Sequence, residues 1–243
     1  GASGSLVLSS SVTSLGSLDV SAGTVEYDGG TALITDTYNS LLISSGNTHA
    51  ASGTLTVNDD FTVSSGTFEL GSNTITVSDV SVFSGNLIIS TGTYNADGAF
   101  DATNGDIDFT GAGTLALSST VTSLGTLDNE MGTVKYDGTS AQTVLADNYY
   151  NLTIENASTK TAGGNLDVDG DLTTEAEASC VLDLAAYDLN LAGNLTVGQA
   201  GGLDASDASC AVTFDGSSTQ TISSSSVTFN NLIVNNSSGL TLG

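Results

Sequence analysis

Residues 132–158 read GTVKYDGTSAQTVLADNYYNLTIENAS, and the same plan returns on either side of them. Residues 23–47, GTVEYDGGTALITDTYNSLLISSGN, and residues 210–238, CAVTFDGSSTQTISSSSVTFNNLIVNNSS, keep its order: an aromatic followed by Asp-Gly, an apolar pair, an Asn and an aliphatic run. The aromatic place is held by Tyr27, Tyr136 and Phe214, and a looser fourth copy over 105–128 puts Phe109 there. Internal repetition on this scale points to a repeat architecture, in which each unit buries its apolar face against its neighbours.

Outward from these copies the apolar residues fall in short alternating runs such as TLTV at Thr54, TITV at Thr74, NLII at Asn86, TLAL at Thr114 and NLTV at Asn194. This is strand patterning, and nothing with helical period reaches three turns. Strand starts at Thr54, Asp60, Thr67, Thr74, Asp79, Asn86, Thr93, Ala99 and Asp106 recur about every six or seven residues. That is too tight for sandwich strands, which recur at about 8 to 12 residues. Three such strands make a coil of about 20 residues, so NTITV at 73–77 should meet GTYNA at 92–96 and then GTLAL at 113–117.

The expected fold is all-β, a single-stranded parallel β-helix (β-solenoid) continuous over 1–243, with about 12 coils stacked at roughly 4.8 Å. The chain has no Pro, which suits strands that must donate to the coils on both sides, and 29 Gly to supply corners. Tyr27, Phe109, Tyr136 and Phe214 read as core or corner fillers, with a sugar-stacking track as the functional rival.

Charge excludes several classes of partner. Lys135 and Lys160 are the only basic residues against 27 acidic ones, for a formal charge of −25. Nucleic acid needs cations to replace phosphate counterions, and an anionic membrane surface would repel the chain. No apolar run is long enough for a membrane span. The absence of an initiator Met or a leader suggests a mature or excised, secreted chain. Cys180 and Cys210 are an even pair in such a chain, each following Ala-Ser and opening a similar strand, so a disulfide is expected, with two buried thiols as the alternative.

The run YDGTSAQTV, YYNLTI, GGNLDVDGDLT and LDLAAYDLNLAGNLTV resembles repeats of large secreted surface proteins of bacteria and archaea. These are adhesin-like, filamentous-haemagglutinin-like chains that fold as right-handed parallel β-helices. The resemblance implies an extracellular or cell-surface location and a structural or adhesive role, with cell-surface glycans as a partner class beyond the chain itself.

Candidate sites are few. His49 is the only histidine and reads as a solvent-exposed corner residue in NTHAASG, with no partners marked for a Ser-His-Asp relay. Asp59 and Asp60, adjacent in an extended segment, should point to opposite faces. Asp167, Asp169 and Asp171 would share a face if extended, where they could hold Ca²⁺; otherwise Ca²⁺ enters only as a structural or screening cation. Sequons stand at Asn151, Asn156, Asn194, Asn235 and Asn236. The pairs Thr54/Thr56 and Thr74/Thr76 read as isolated, short of the in-register Thr-x-Thr files that an ice-binding face needs.

The ends decide the functional expectation. VTSLGSLD at 12–19 repeats VTSLGTLD at 121–128 with one change, and the last residues align with the interior around Gly163. Both ends therefore read as uncapped coils, and uncapped solenoid ends are templates for pairing. Ser5, Leu6, Val7 and Leu8 at one end and Gly239, Leu240, Thr241 and Leu242 at the other are the expected assembly residues. The expected function is a non-enzymatic subunit that polymerises head to tail. A stalk segment of a large adhesin is the alternative. A polysaccharide-active β-helix enzyme ranks third, since the chain lacks Arg to place beside acidic sugars.

Overall fold

A computed structural model describes residues 4–30, 32–224 and 226–243. Among them there is no helix, and strands of two to five residues pair in parallel throughout. The chain packs as two compact units, 1–130 and 131–243. In each unit successive turns lay their strands in three sheets, which is a β-solenoid of about 20 residues per turn.

In the 1–130 unit the first sheet runs through seven strands from Ser5–Leu8 to Val121–Ser123. The second has six, ending at Thr126–Asp128, and the third includes Thr37–Tyr38, Leu55–Val57, Thr74–Val77, Thr93–Ala96 and Thr114–Leu117. The expected stacking is found: Thr74 lies beside Thr93, and Thr93 beside Thr114. In the 131–243 unit, five-stranded sheets run from Gln142–Val144 to Thr228–Phe229 and from Asn148–Tyr149 to Leu232–Val234. The remaining strands, from Thr133–Tyr136 to Leu240–Leu242, form the third face.

Alternate residues of most strands enter the core, as the period-two pattern requires. In the 1–130 unit the filling is aromatic. Phe61 packs edge-on against Phe68 at 5.1 Å and Phe83 at 5.7 Å, and Phe83 meets Tyr94 and Phe100, each at 5.6 Å. Tyr27, Phe109, Tyr136 and Phe214 are all buried, which removes the sugar-stacking alternative for them. Corners stack as tightly as strands: a Cβ on Gly98 would run into the backbone of Asp79, one turn earlier.

Turns are tied together by side chains as well as by strand ladders. Asn151 Oδ1 accepts from the Asp171 N–H at 2.8 Å, Asp171 Oδ1 from the Asn194 N–H at 2.7 Å, and Asn194 Oδ1 from the Thr221 N–H at 2.9 Å. A second file uses Asn165, whose Oδ1 accepts from the Asp188 N–H, and Asp188, whose Oδ1 accepts from the Ala211 N–H. The recurrent Asn/Asp before an inward Leu is therefore a bracket that satisfies the next turn's backbone donor.

The sequence repeat is not a whole number of turns. Within the 131–243 unit, Thr133–Tyr136 of one copy pairs with Asn151–Ile154 in one sheet. Its counterpart in the next copy, Val212–Phe214, pairs with Leu189–Leu191 and Leu232–Val234 in a different sheet. What each copy conserves is a local clasp. Tyr136 and Tyr149 place their hydroxyls 3.2 Å apart; Tyr149 donates to the Leu145 carbonyl and Tyr136 accepts from the Leu145 N–H. Tyr27 and Tyr38 do the same around Ile34. Phe214 and Phe229 take the two aromatic places in the third copy as an edge-on ring pair at 6.4 Å, without hydroxyls.

Candidate functional site

The strands expected to carry assembly stand at sheet edges. Among the described residues, Ser5–Leu8 is the outermost strand of the first sheet in its unit, paired to Thr24–Tyr27, and exposes Ser5, Leu6 and Val7 while Leu8 turns inward. In the other unit Leu240–Leu242 is an edge strand paired to Gln220–Ser224; Gly239 before it takes φ 95°, and Leu242 is 84% exposed. A third edge escaped sequence reasoning. Leu232–Val234 pairs on one side with Val212–Phe214, and all three of its aliphatic residues are exposed. A strand with an open ladder and bare aliphatic side chains is a template for another strand.

Lys160 and His49 are among the buried polar groups that the repeat places at equivalent positions. Lys160 is fully buried. Its Nζ donates to the carbonyls of Gly138, Glu155 and Asn156 at 2.8, 2.5 and 3.2 Å and to Ser158 Oγ at 2.6 Å. Asn156, in the left-handed region at φ 61°, turns its carbonyl into this cage. Burial holds the ammonium below its ordinary pKa. Lys135 is partly exposed and bridges Glu155 at 3.0 Å and Asp137 at 3.5 Å.

His49 is not the exposed corner residue that its sequence context suggests. It lies in strand Thr48–Ala51 and points into the core, because inward alternation through Phe68 on the next turn fixes its face. Nε2 is 2.5 Å from Ser45 Oγ, the ring meets Tyr27 edge-on at 5.9 Å, and Nδ1 has no partner. With no carboxylate on Nδ1 the Ser45–His49 pair lacks the orienting member of a catalytic relay.

Burial lowers the His49 pKa from its ordinary value. A depressed histidine gives stability that is present above the unfolded value of about 6.5 and is lost as pH falls below it. Thermal melts between pH 7.5 and 5 should therefore show the 1–130 unit losing stability on the acid side, and His49→Asn should flatten that slope. An unchanged slope in the variant assigns the loss to carboxylates.

The acidic candidates are rearranged. Asp171 Oδ1 is committed to Asn194, while Asp167 is raised by burial and by the neighbouring Asp169 and Asp215. Among the described residues, the group of three carboxylates whose oxygens lie within 4.8 Å of one another is Asp59, Asp60 and Asp79. Asp59 and Asp60 occupy a corner between strands, where the alternation that would separate them no longer holds. Asp59 accepts from Ser40 Oγ and Asn39 Nδ2, and Asp60 from the Val80 N–H.

Cys180 and Cys210 are free thiols, not the expected bridge. Cys180 opens a strand of one sheet, with Sγ directed at the Ile154 carbonyl, and Cys210 precedes a strand of another; burial raises both. Of the sequons, Asn151 and Asn194 belong to the bracket file. Asn156 donates to the Asp137 carbonyl, and Asn236 to the Ser218 carbonyl and Gln220 Oε1. Asn235 is exposed, and among the described residues its amide is not committed to such a bond.

Among the described residues no helix is long and apolar enough to cross a membrane. No family model matches the chain, and neither a curated protein nor a solved structure shows significant similarity to it.

Proposed function

We propose that this chain is an extracellular structural subunit that joins further copies end to end, by strand pairing, into a filament, sheath or surface layer. The observation that carries this reading is the set of exposed aliphatic residues on edge strands: Leu6 and Val7 on one unit, Leu232, Ile233, Val234 and Leu242 on the other. Soluble repeat proteins normally cover such edges with polar caps. A second copy supplies main-chain partners and apolar cover together, the mode of β-strand addition. The charge of −25 opposes stacking, so a divalent cation such as Ca²⁺ acts as a screen that favours it.

Electron microscopy and sedimentation of the purified chain, with and without millimolar Ca²⁺, test the reading. Ordered filaments are expected, and Ile233→Lys should leave the fold intact while shortening or abolishing them. Monodisperse particles under every condition would overturn polymerisation. They would favour the rival reading, a stalk segment of a large cell-surface adhesin whose edges are covered by further chain.

A further inference from the structure

The third sheet of the 1–130 unit presents a regular array to solvent. Its outward residues form two parallel files. In one, Thr37 lies beside Thr56, Thr56 beside Thr76, and Thr76 beside Asn95. In the other, Thr74 lies beside Thr93 and Thr93 beside Thr114. The threonine pairs that look isolated in the sequence are in register on successive turns.

We propose that this face binds ice. Neighbouring strands set the hydroxyls of a file roughly 4.8 Å apart, and two residues along a strand separate the files by roughly 6.6 Å. The spacing along a file is close to the shorter oxygen repeat of a prism plane of hexagonal ice, and the spacing between files falls about a tenth short of the longer one. Each threonine offers a hydroxyl that can take a lattice position and a methyl that limits the ways water can arrange beside it. The array is also rigid. The inward neighbours Leu55, Val57, Ile75, Val77 and Tyr94 are fully buried, and a β-branched side chain has few χ1 choices. Asn95 Nδ2 reaches Thr76 Oγ1 at 3.3 Å and ties adjacent turns.

The charge distribution selects water over other occupants. The chain is strongly acidic, and the other two sheets of this unit carry strand carboxylates such as Glu26, Asp101, Glu69 and Asp106. The strands of the third sheet carry none. The outward side of these strands is uncharged and offers nothing to an ion or a charged peptide, the carboxylates of Asp59, Asp60 and Asp79 standing at the corner beyond Leu55–Val57 and Thr74–Val77. It also offers nothing on which a sugar ring can stack, because the aromatic rings among the described residues of this unit point inward. The inference is independent of the assembly reading, since its threonines are not among the exposed aliphatic residues on which that reading rests.

Growing an ice crystal in a solution of the full chain, and following recrystallisation of a frozen suspension, tests it. The chain is expected to facet the crystal and to suppress recrystallisation. Thr76→Lys, at the centre of the array, should abolish both effects, and Thr76→Gln serves if the lysine variant melts earlier than the parent. Thr62→Lys, in strand Phe61–Val63 of the first sheet, should change neither. Round crystals from the folded parent chain, or faceting that survives a folded Thr76 variant, would overturn the proposal. So would adsorption to microcrystalline cellulose, lost on substituting Thr76, without any effect on ice. Faceting by a chain that forms no filaments sustains this proposal while the assembly reading fails.

Discussion

Phe83→Ala is expected to destabilise the 1–130 unit by about 3–5 kcal/mol, the range for truncating a buried aromatic. Phe83 is in ring contact with Phe61, Tyr94 and Phe100, which belong to three different strands on neighbouring turns. Removing the ring opens a void that the stacked backbone cannot close, because corners such as Gly98 are already in contact with the turn before. Urea unfolding followed by far-ultraviolet circular dichroism reads the loss. Phe83→Leu, which keeps most of the volume, should cost markedly less. Equal costs for the two variants would mean that ring packing contributes little.

Lys160→Met should destabilise the 131–243 unit on the order of 3 kcal/mol, since each buried acceptor left without a donor costs about 1–3 kcal/mol. The ammonium is the shared donor for three carbonyls and the Ser158 hydroxyl. Methionine matches the stem but leaves those oxygens facing an apolar tip. Two of the carbonyls keep another donor, Gly138 from Ser158 Oγ and Asn156 from the Ser158 N–H, which bounds the loss. The same denaturation experiment measures it, and a change below about 1 kcal/mol would show that the cage relaxes around the missing charge. Lys135→Met gives the contrast. Its partly exposed ion pairs are expected to be worth less than about 1 kcal/mol.

These two residues also mark how far the sequence could be read. The aromatic runs announced a core, because period-two alternation maps directly onto faces of a strand. Lys160 announced only a charge. Its burial depends on Asn156 adopting a left-handed turn and on Gly138 arriving from the previous turn, and neither is a property of the residues beside it. His49 was misplaced for the same reason: NTHAASG has the composition of a corner, but pairing with Thr67–Glu69 makes part of it a strand.

Strand periodicity, parallel stacking and a turn of about 20 residues follow from the sequence alone, since alternation, turn residues and run length are local quantities. Which side chains of different turns become neighbours is not local. The segments 12–19 and 121–128 differ at one residue, yet the second forms two strands, Val121–Ser123 and Thr126–Asp128, and the first forms none. The later segment lies on Phe100–Asp101 and Asp106–Phe109, whose open N–H and C=O groups it completes. Among the described residues no strand lies beneath the earlier one. The threonine files, the carbonyl cage around Lys160 and the open aliphatic edges belong to the same class. Each is set by the register between turns of unequal length, from 16 residues between Thr24 and Ser40 to 27 between Leu195 and Ile222, and that register is fixed only when the turns pack and their backbone hydrogen bonds are satisfied.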